Sequence, residues 1–312
     1  MPYPTMPYIR LRDGAELYVR VLGQGEPVLI LSGLGISSRF WLPFILPRLG
    51  SHQFFIPDFR GVGRSSSVAL KPQDIFQSGM EDAQDLVAHF KLRRLALIGY
   101  SLGASTALHW QHNADFSAVE RYLHIDQSPC IVNQPDWPYG LWGDEQDRYF
   151  FLLRQLSELL HRHPEHPHIA DLPLDLRRRA LDLLGRVLAR AAASPWLHRF
   201  FLAAARTPGL LRRHALLRCQ NLRITIESYL HAPDYRASLS RFPVPVSVFI
   251  GARSPLYAAA GQEAIADLAP RGHKVIFTHS DHMPPVREPI RFSRELQHFL
   301  HASSSTGLCW KP

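Results

Sequence analysis

The chain has 312 residues, 46% of them apolar and 20% charged, with a formal charge of +8. That balance excludes a disordered or fibrous chain, and no stretch approaches the roughly 18 uninterrupted apolar residues of a membrane span. The excess charge is local, since residues 144–241 hold sixteen arginines, no lysine and ten carboxylates. These arginines are dispersed among Leu and Ala at helical spacing, so they read as solvated helix faces, and no nucleic-acid partner is expected. A single core stops growing near ~250 to 300 residues, so the length calls for one main domain with an insertion.

Along the chain, the start "MPYPTMPYIRLRDG" has neither a basic opening followed by an apolar block nor a small-residue cleavage site. It does not read as a secretory leader, and a cytoplasmic location is expected. Two alternating runs joined at Asp13-Gly14 predict a hairpin, and the run Pro27 to Leu31, apolar on both faces, predicts a central strand. A helical segment follows near Phe40 to Leu49, then a second buried run at His52 to Pro57. Residues 72–90 place Ile75, Phe76, Met80, Ala83, Leu86 and Phe90 on one helical face. "RRLALIGY", "SLGASTALHWQHN" and "VERYLHID" then read as strand, helix and strand. Strands alternating with helices imply a parallel sheet.

From about residue 131 to 241 the strand signals disappear, and helical segments broken by prolines take their place. The expected division is a core of residues 1–130 and 242–312 with a helical cap at 131–241. The alternation resumes with "VPVSVFIG", a helix near Ala259 to Leu268, "HKVIFTHS" and a last amphipathic helix from about Val286 to His301. The tail "ASSSTGLCWKP" is polar and reads as frayed. Three cysteines, Cys130, Cys219 and Cys309, are an odd number without metal-ligand spacing, which fits a reducing compartment.

The chemistry centres on Gly99-Tyr100-Ser101-Leu102-Gly103. This is a G-x-S-x-G pattern between a buried strand and a helix, the setting in which a tight turn lifts a serine hydroxyl clear of a sheet. A serine at such a place is also a good helix cap. The segments "LILSGLGISSRFW", "PDFRGVGRSS", "LIGYSLGAS" and "HSDHMPPVREP", in that order, decide between the two. Together they make the chain resemble the α/β-hydrolase fold superfamily over its whole length outside the insertion.

The resemblance implies a mostly parallel sheet covered by helices on both faces, with Ser101 as nucleophile and His282, in "SDHMPPVREP", as general base. His279 is a weaker alternative. The oxyanion hole would come from the backbone amides of Leu102 and Leu34, with Ser32 standing where relatives usually carry histidine. After "VPVSVFIG" relatives usually place an aspartate, and this chain has Ser254. Asp126, at the end of the preceding strand, is the expected acid; its alternative role is a strand-end cap, and Asp281 is a third candidate. "DFRGVGRSS" reads as a structural turn in which Asp58 and Arg60 tie the loop near the site's mouth.

The resemblance thus implies a serine hydrolase cleaving a carboxylic ester, thioester or lactone of a small or acyl substrate through an acyl-enzyme. It calls for no metal or organic cofactor. Two alternatives stay open: a hydrolase-like receptor with little turnover, suggested by Ser254, and a carbon-carbon bond hydrolase or perhydrolase. Trp137 and Trp142 could line the substrate pocket or form a small core of the cap. The run "HRHPEHPH" reads as a solvated loop, because its prolines obstruct a regular ligand set. The basic cap suits an acidic carrier, an acyl-carrier protein or coenzyme A.

Overall fold

The computed structural model describes residues 8–212 and 214–302; Cys309, the polar tail and the first seven residues lie outside them. Eight strands form one sheet: β1 (Tyr8–Arg10), β2 (Glu16–Gly23), β3 (Glu26–Leu31), β4 (His52–Pro57), β5 (Leu95–Tyr100), β6 (Val119–Ile125), β7 (Val246–Gly251) and β8 (Gly272–Phe277). Their order is β1-β2-β4-β3-β5-β6-β7-β8. The hairpin β1–β2 and the pair β2–β4 are antiparallel, and every later pair is parallel.

The runs apolar on both faces become the central strands for the reason the pattern suggests. In β3, Val28 and Ile30 enter one core while Leu29 and Leu31 enter the other, and all four are fully buried. The first core also takes Trp41, Phe44, Phe249 and Phe292. The segment at residues 40–49 is three one-turn pieces, including α1 (Leu42–Ile45), rather than the single helix expected. Pro43 and Pro47 open two of these turns and supply no N–H to continue the ladder.

On the other face lie α2 (Ile75–His89) and α3 (Leu102–Asn113), and beyond them the inserted helices. These are α4 (Gln146–His161), α5 (Leu174–Ala191), α6 (Trp196–Ala204), α7 (Pro208–Leu211), α8 (Cys219–Leu230) and α9 (Arg236–Leu239). Their buried side chains, among them Leu156, Leu160, Leu181, Leu184 and Ile226, join the same apolar cluster as Leu29, Leu97 and Leu108. The inserted helices therefore extend the core of the sheet. The chain closes with α10 (Ala259–Leu268), α11 (Pro284–Arg287) and α12 (Pro289–His301). The last two divide the helix expected from Val286, because Glu288, ahead of Pro289, is non-helical at φ −128° and ψ 60°.

Candidate active site

The chain reverses direction across the sheet at β3, which pairs with β4 on one side and β5 on the other. The carboxyl ends of strands at such a reversal are where open parallel sheets bind ligands. Here β3 ends at Leu31, opposite Gly99 of β5, and the turns that follow carry Leu34 and Ser101.

Ser101 occupies a turn that its neighbours force to be tight. Its backbone has φ 51° and ψ −116°, a conformation that side-chain-bearing residues rarely adopt. A methyl group on Gly99 would lie 2.7 Å from Ala104 Cα, and one on Gly103 would lie 1.9 Å from the Leu31 carbonyl oxygen. Only glycine allows β3, β5 and α3 to approach this closely. The Ser101 amide donates to the Ile125 carbonyl at 3.0 Å, which fixes the turn against β6.

The Ser101 hydroxyl donates to Nε2 of His282 across 3.0 Å, and Nδ1–H of His282 donates to Oδ2 of Asp126 across 2.7 Å. Asp126 is fully buried at the end of β6, next to β7, and its own amide donates to the Phe249 carbonyl. Like Ser101 it has a positive φ, 45°, which turns its carboxylate out of the sheet toward His282. A hydroxyl so placed can pass its proton to the imidazole, and the carboxylate fixes the tautomer and stabilises the imidazolium that forms. Tyr100 braces the histidine: its ring stacks at 5.5 Å and its hydroxyl donates to the His282 carbonyl at 2.9 Å. Burial, with Asp126 and Asp281 nearby, holds that hydroxyl protonated well above the usual phenol range.

Leu34 and Leu102 border one narrow cleft with Gly35, Thr106, Leu216 and Thr225. Leu102 is the first residue of α3, so its amide is among those a helix leaves without an internal acceptor. Ser32 is buried and accepts from the Trp41 indole at 3.0 Å, which ties the loop after β3 to α1. Asp58 accepts from the amides of Ser38 and Arg64, while Arg60, another cleft residue, pairs through two contacts of 2.7 and 2.8 Å with buried Asp82.

The other candidates lie elsewhere. Trp142 is 6% exposed and packs on Tyr149 and Phe150, and Trp137 donates its indole N–H to the Cys130 carbonyl. Both are interior residues, and neither borders the cleft. The Ser254 hydroxyl accepts from the amides of Leu256 and Tyr257, so it shapes a turn. Asp281 pairs with Arg287, and His279 contacts Arg253. In the histidine run, His163 and His166 each approach Glu165 to 3.3 Å, and His168 caps a helical turn by accepting from the Ala170 amide. Two participants escaped the sequence reading: Tyr100, hidden in an apolar strand, and Gln262, whose amide reaches Asp126. A signal for Gln262 existed, because it lies three and four residues before buried Ile265 and Ala266, on the apolar face of α10.

A serine on a strained strand-to-helix turn at the switch point of a parallel sheet, bonded to a histidine from the loop after the last strand, defines an α/β hydrolase. The chain belongs to the alpha/beta hydrolase family, whose model matches residues 28–295. It is similar to a pimeloyl-acyl-carrier protein methyl ester esterase of Nitrosomonas europaea, at 24% identity over 89% of this chain and 97% of the relative. A protein of the same name from Pectobacterium atrosepticum is 26% identical over 92% of this chain and 100% of its own length. Among solved structures, an esterase from Exiguobacterium antarcticum superposes with a TM-score of 0.67 at 19% identity, covering 95% of this chain and 99% of that one. The enol-lactonase of Burkholderia xenovorans LB400 does so at 0.66 and 17% identity, covering 95% and 100%. Among the described residues no helix is long and apolar enough to cross a membrane.

Proposed function

We propose that this protein is a serine hydrolase that cleaves the carboxylic ester of an acyl substrate through an acyl-enzyme on Ser101. The observation that carries the proposal is the unbroken line of hydrogen bonds Ser101–His282–Asp126. In the first half-reaction the Ser101 oxygen bonds to the ester carbonyl carbon as its proton passes to His282. The carbonyl oxygen takes the negative charge against the amides of Leu34 and Leu102, and the alcohol leaves with the proton from His282. Water repeats the sequence and releases the acid. Thioesters and lactones present the same carbonyl chemistry. The receptor alternative rested on Ser254, and an acid already bonded to His282 favours turnover instead.

The substrate class follows from the helices over the site. Leu216 and Thr225 of the insertion border the cleft that Leu34 and Leu102 also line. Residues 131–241 thus serve as a lid, and their arginine excess suits an acidic carrier presenting the chain. The names of the two curated relatives, esterases of acyl-carrier-protein methyl esters, support the same reading.

The test pairs substrates with charge. Arg178 and Arg179 are exposed on α5. With both changed to Glu, kcat/KM for a free methyl ester of a dicarboxylic acid is expected to stay within twofold of the native value. For the same ester on an acyl-carrier protein it is expected to fall about tenfold, roughly 1.4 kcal/mol, with a weaker salt dependence. Equal effects on the two substrates contradict the carrier; no hydrolysis of either contradicts the ester reading.

A further inference from the structure

We infer that Gln262 is a positioning residue of this site, a neutral clamp that holds the Asp126 carboxylate aimed at His282; the inference rests on the hydrolase reading above. Asp126 is completely buried, and only one of its oxygens, Oδ2, faces the histidine. Burying a carboxylate oxygen without a donor is costly, so its other lone pairs also need partners. Gln262, itself 0% exposed, meets that need: its Nε2 donates to Asp126 Oδ1 at 2.5 Å and to the Tyr257 carbonyl at 3.2 Å. The amide orientation is fixed by this pairing, since the reverse would set an oxygen against the carboxylate. An uncharged donor is what this place requires. A Lys or Arg would hold Asp126 equally well but would cancel the negative charge that stabilises the imidazolium of His282.

The clamp is itself held by the helical layer. The loop between β7 and α10 carries Ser254 where an acid would serve a different geometry, and here it forms the turn that presents the Tyr257 carbonyl to Gln262. The Trp142 amide donates to the Leu256 carbonyl at 2.7 Å, and Arg190 donates to the Pro255 carbonyl at 2.8 Å. Gly261, next to the clamp, abuts Tyr139 and the Trp137 ring. The two tryptophans, away from the cleft, thus brace the start of α10. With the acid on β6, the loop after β7 supplies the acid's support instead of the acid.

Labelling of Ser101 by a fluorophosphonate tests this without knowledge of the substrate, because serine attack forms the P–O bond, fluoride leaves and the proton goes to His282. Gln262→Met removes the donor and is expected to slow labelling roughly 10- to 100-fold at every pH, the range usual for outer-layer partners of a reacting group. Gln262→Glu, nearly isosteric, supplies a donor only while protonated, so its labelling rate is expected to fall at alkaline pH where the native rate is flat. A residue that merely fills space would not create that new alkaline limb, and the Glu variant carries the test where the Met variant does not fold. Rates within twofold of native across the pH range for Gln262→Glu overturn the clamp. Ser101→Ala and Asp126→Asn are run beside them. Native labelling that needs Asp126 but ignores Gln262 contradicts the clamp alone, whereas no Ser101-dependent labelling contradicts the hydrolase reading itself.

Discussion

At the carboxyl edge of the sheet, a methyl group added to Gly103 would meet the Leu31 carbonyl oxygen at 1.9 Å; in the helical layer, one added to Gly209 of α7 would meet nothing within 4 Å. The same contrast runs through the side chains. Ser101 and Asp126 are buried, bonded and held at positive φ, while Trp196, Phe200 and Leu210 stand 40% or more exposed among arginines. The sheet edge is built to hold a few atoms in place, and the α6–α7 stretch of the insertion leaves room for change. In the proposed function, reaction chemistry needs the first property and choice of substrate the second.

The largest expected effect lies at the sheet edge. Asp126→Asn leaves the shape of the site but favours the wrong histidine tautomer, so kcat on a simple ester is expected to drop about 10⁴-fold; a drop under tenfold would place the acid elsewhere. Next comes the glycine pair, measured by urea unfolding. Gly103→Ala is expected to cost about 3 kcal/mol or more, because neither Leu31 nor α3 can retreat, whereas Gly209→Ala is expected to gain about 0.5 kcal/mol from a stiffer unfolded chain. Equal costs would erase the contrast between the regions.

A third effect is the response to acid. His124 is fully buried on β6, bonded to the Tyr122 hydroxyl and the Gln127 carbonyl, and burial lowers its pKa to about 4. Above the unfolded-state value near ~6.5, neither state carries the proton and stability is unaffected. As pH falls below that value the unfolded chain binds the proton first, so stability declines until about pH 4. Between pH 7 and pH 5 this group is expected to contribute a loss of about 2 kcal/mol. His124→Asn should flatten the urea-midpoint profile over that interval, and an unchanged slope would contradict it. The smallest effect belongs to the proposed lid: Leu216→Ala is expected to raise kcat/KM several-fold for medium-chain over short-chain esters, about 1 kcal/mol from relieved crowding. No change in chain preference would detach the cleft from the substrate.

The two regions also differ in how much of them could be read from sequence. Around the elbow, local rules suffice. A strand buried on both faces has to be continuously apolar, and a turn in which three elements touch has to carry glycine, so β3, β5 and the position of Ser101 were legible. His282 was legible through its resemblance to a known loop. The partner of His282 was legible only as a choice, because Asp126 and Ser254 lie on neighbouring strand ends and only the packed sheet shows which one faces the ring. The aromatic residues at the start of the insertion were less legible still. Trp137 and Trp142 suit a pocket or a core equally; Trp142 is buried against Tyr149 and Phe150, and Trp137 lies against Gly261 of α10, more than a hundred residues away in sequence. Gln262 was hidden for the same reason, since a polar residue on an apolar face announces a buried partner without naming it.

The most direct test of the central claim is rapid mixing with a short-chain nitrophenyl ester, with the quenched protein digested and weighed. The account predicts a burst of one nitrophenol per active protein, an acyl group on the peptide carrying Ser101, continued turnover, and loss of the burst in both Ser101→Ala and Asp126→Asn. Turnover with no adduct on Ser101, or a native burst rate in Asp126→Asn, would contradict it.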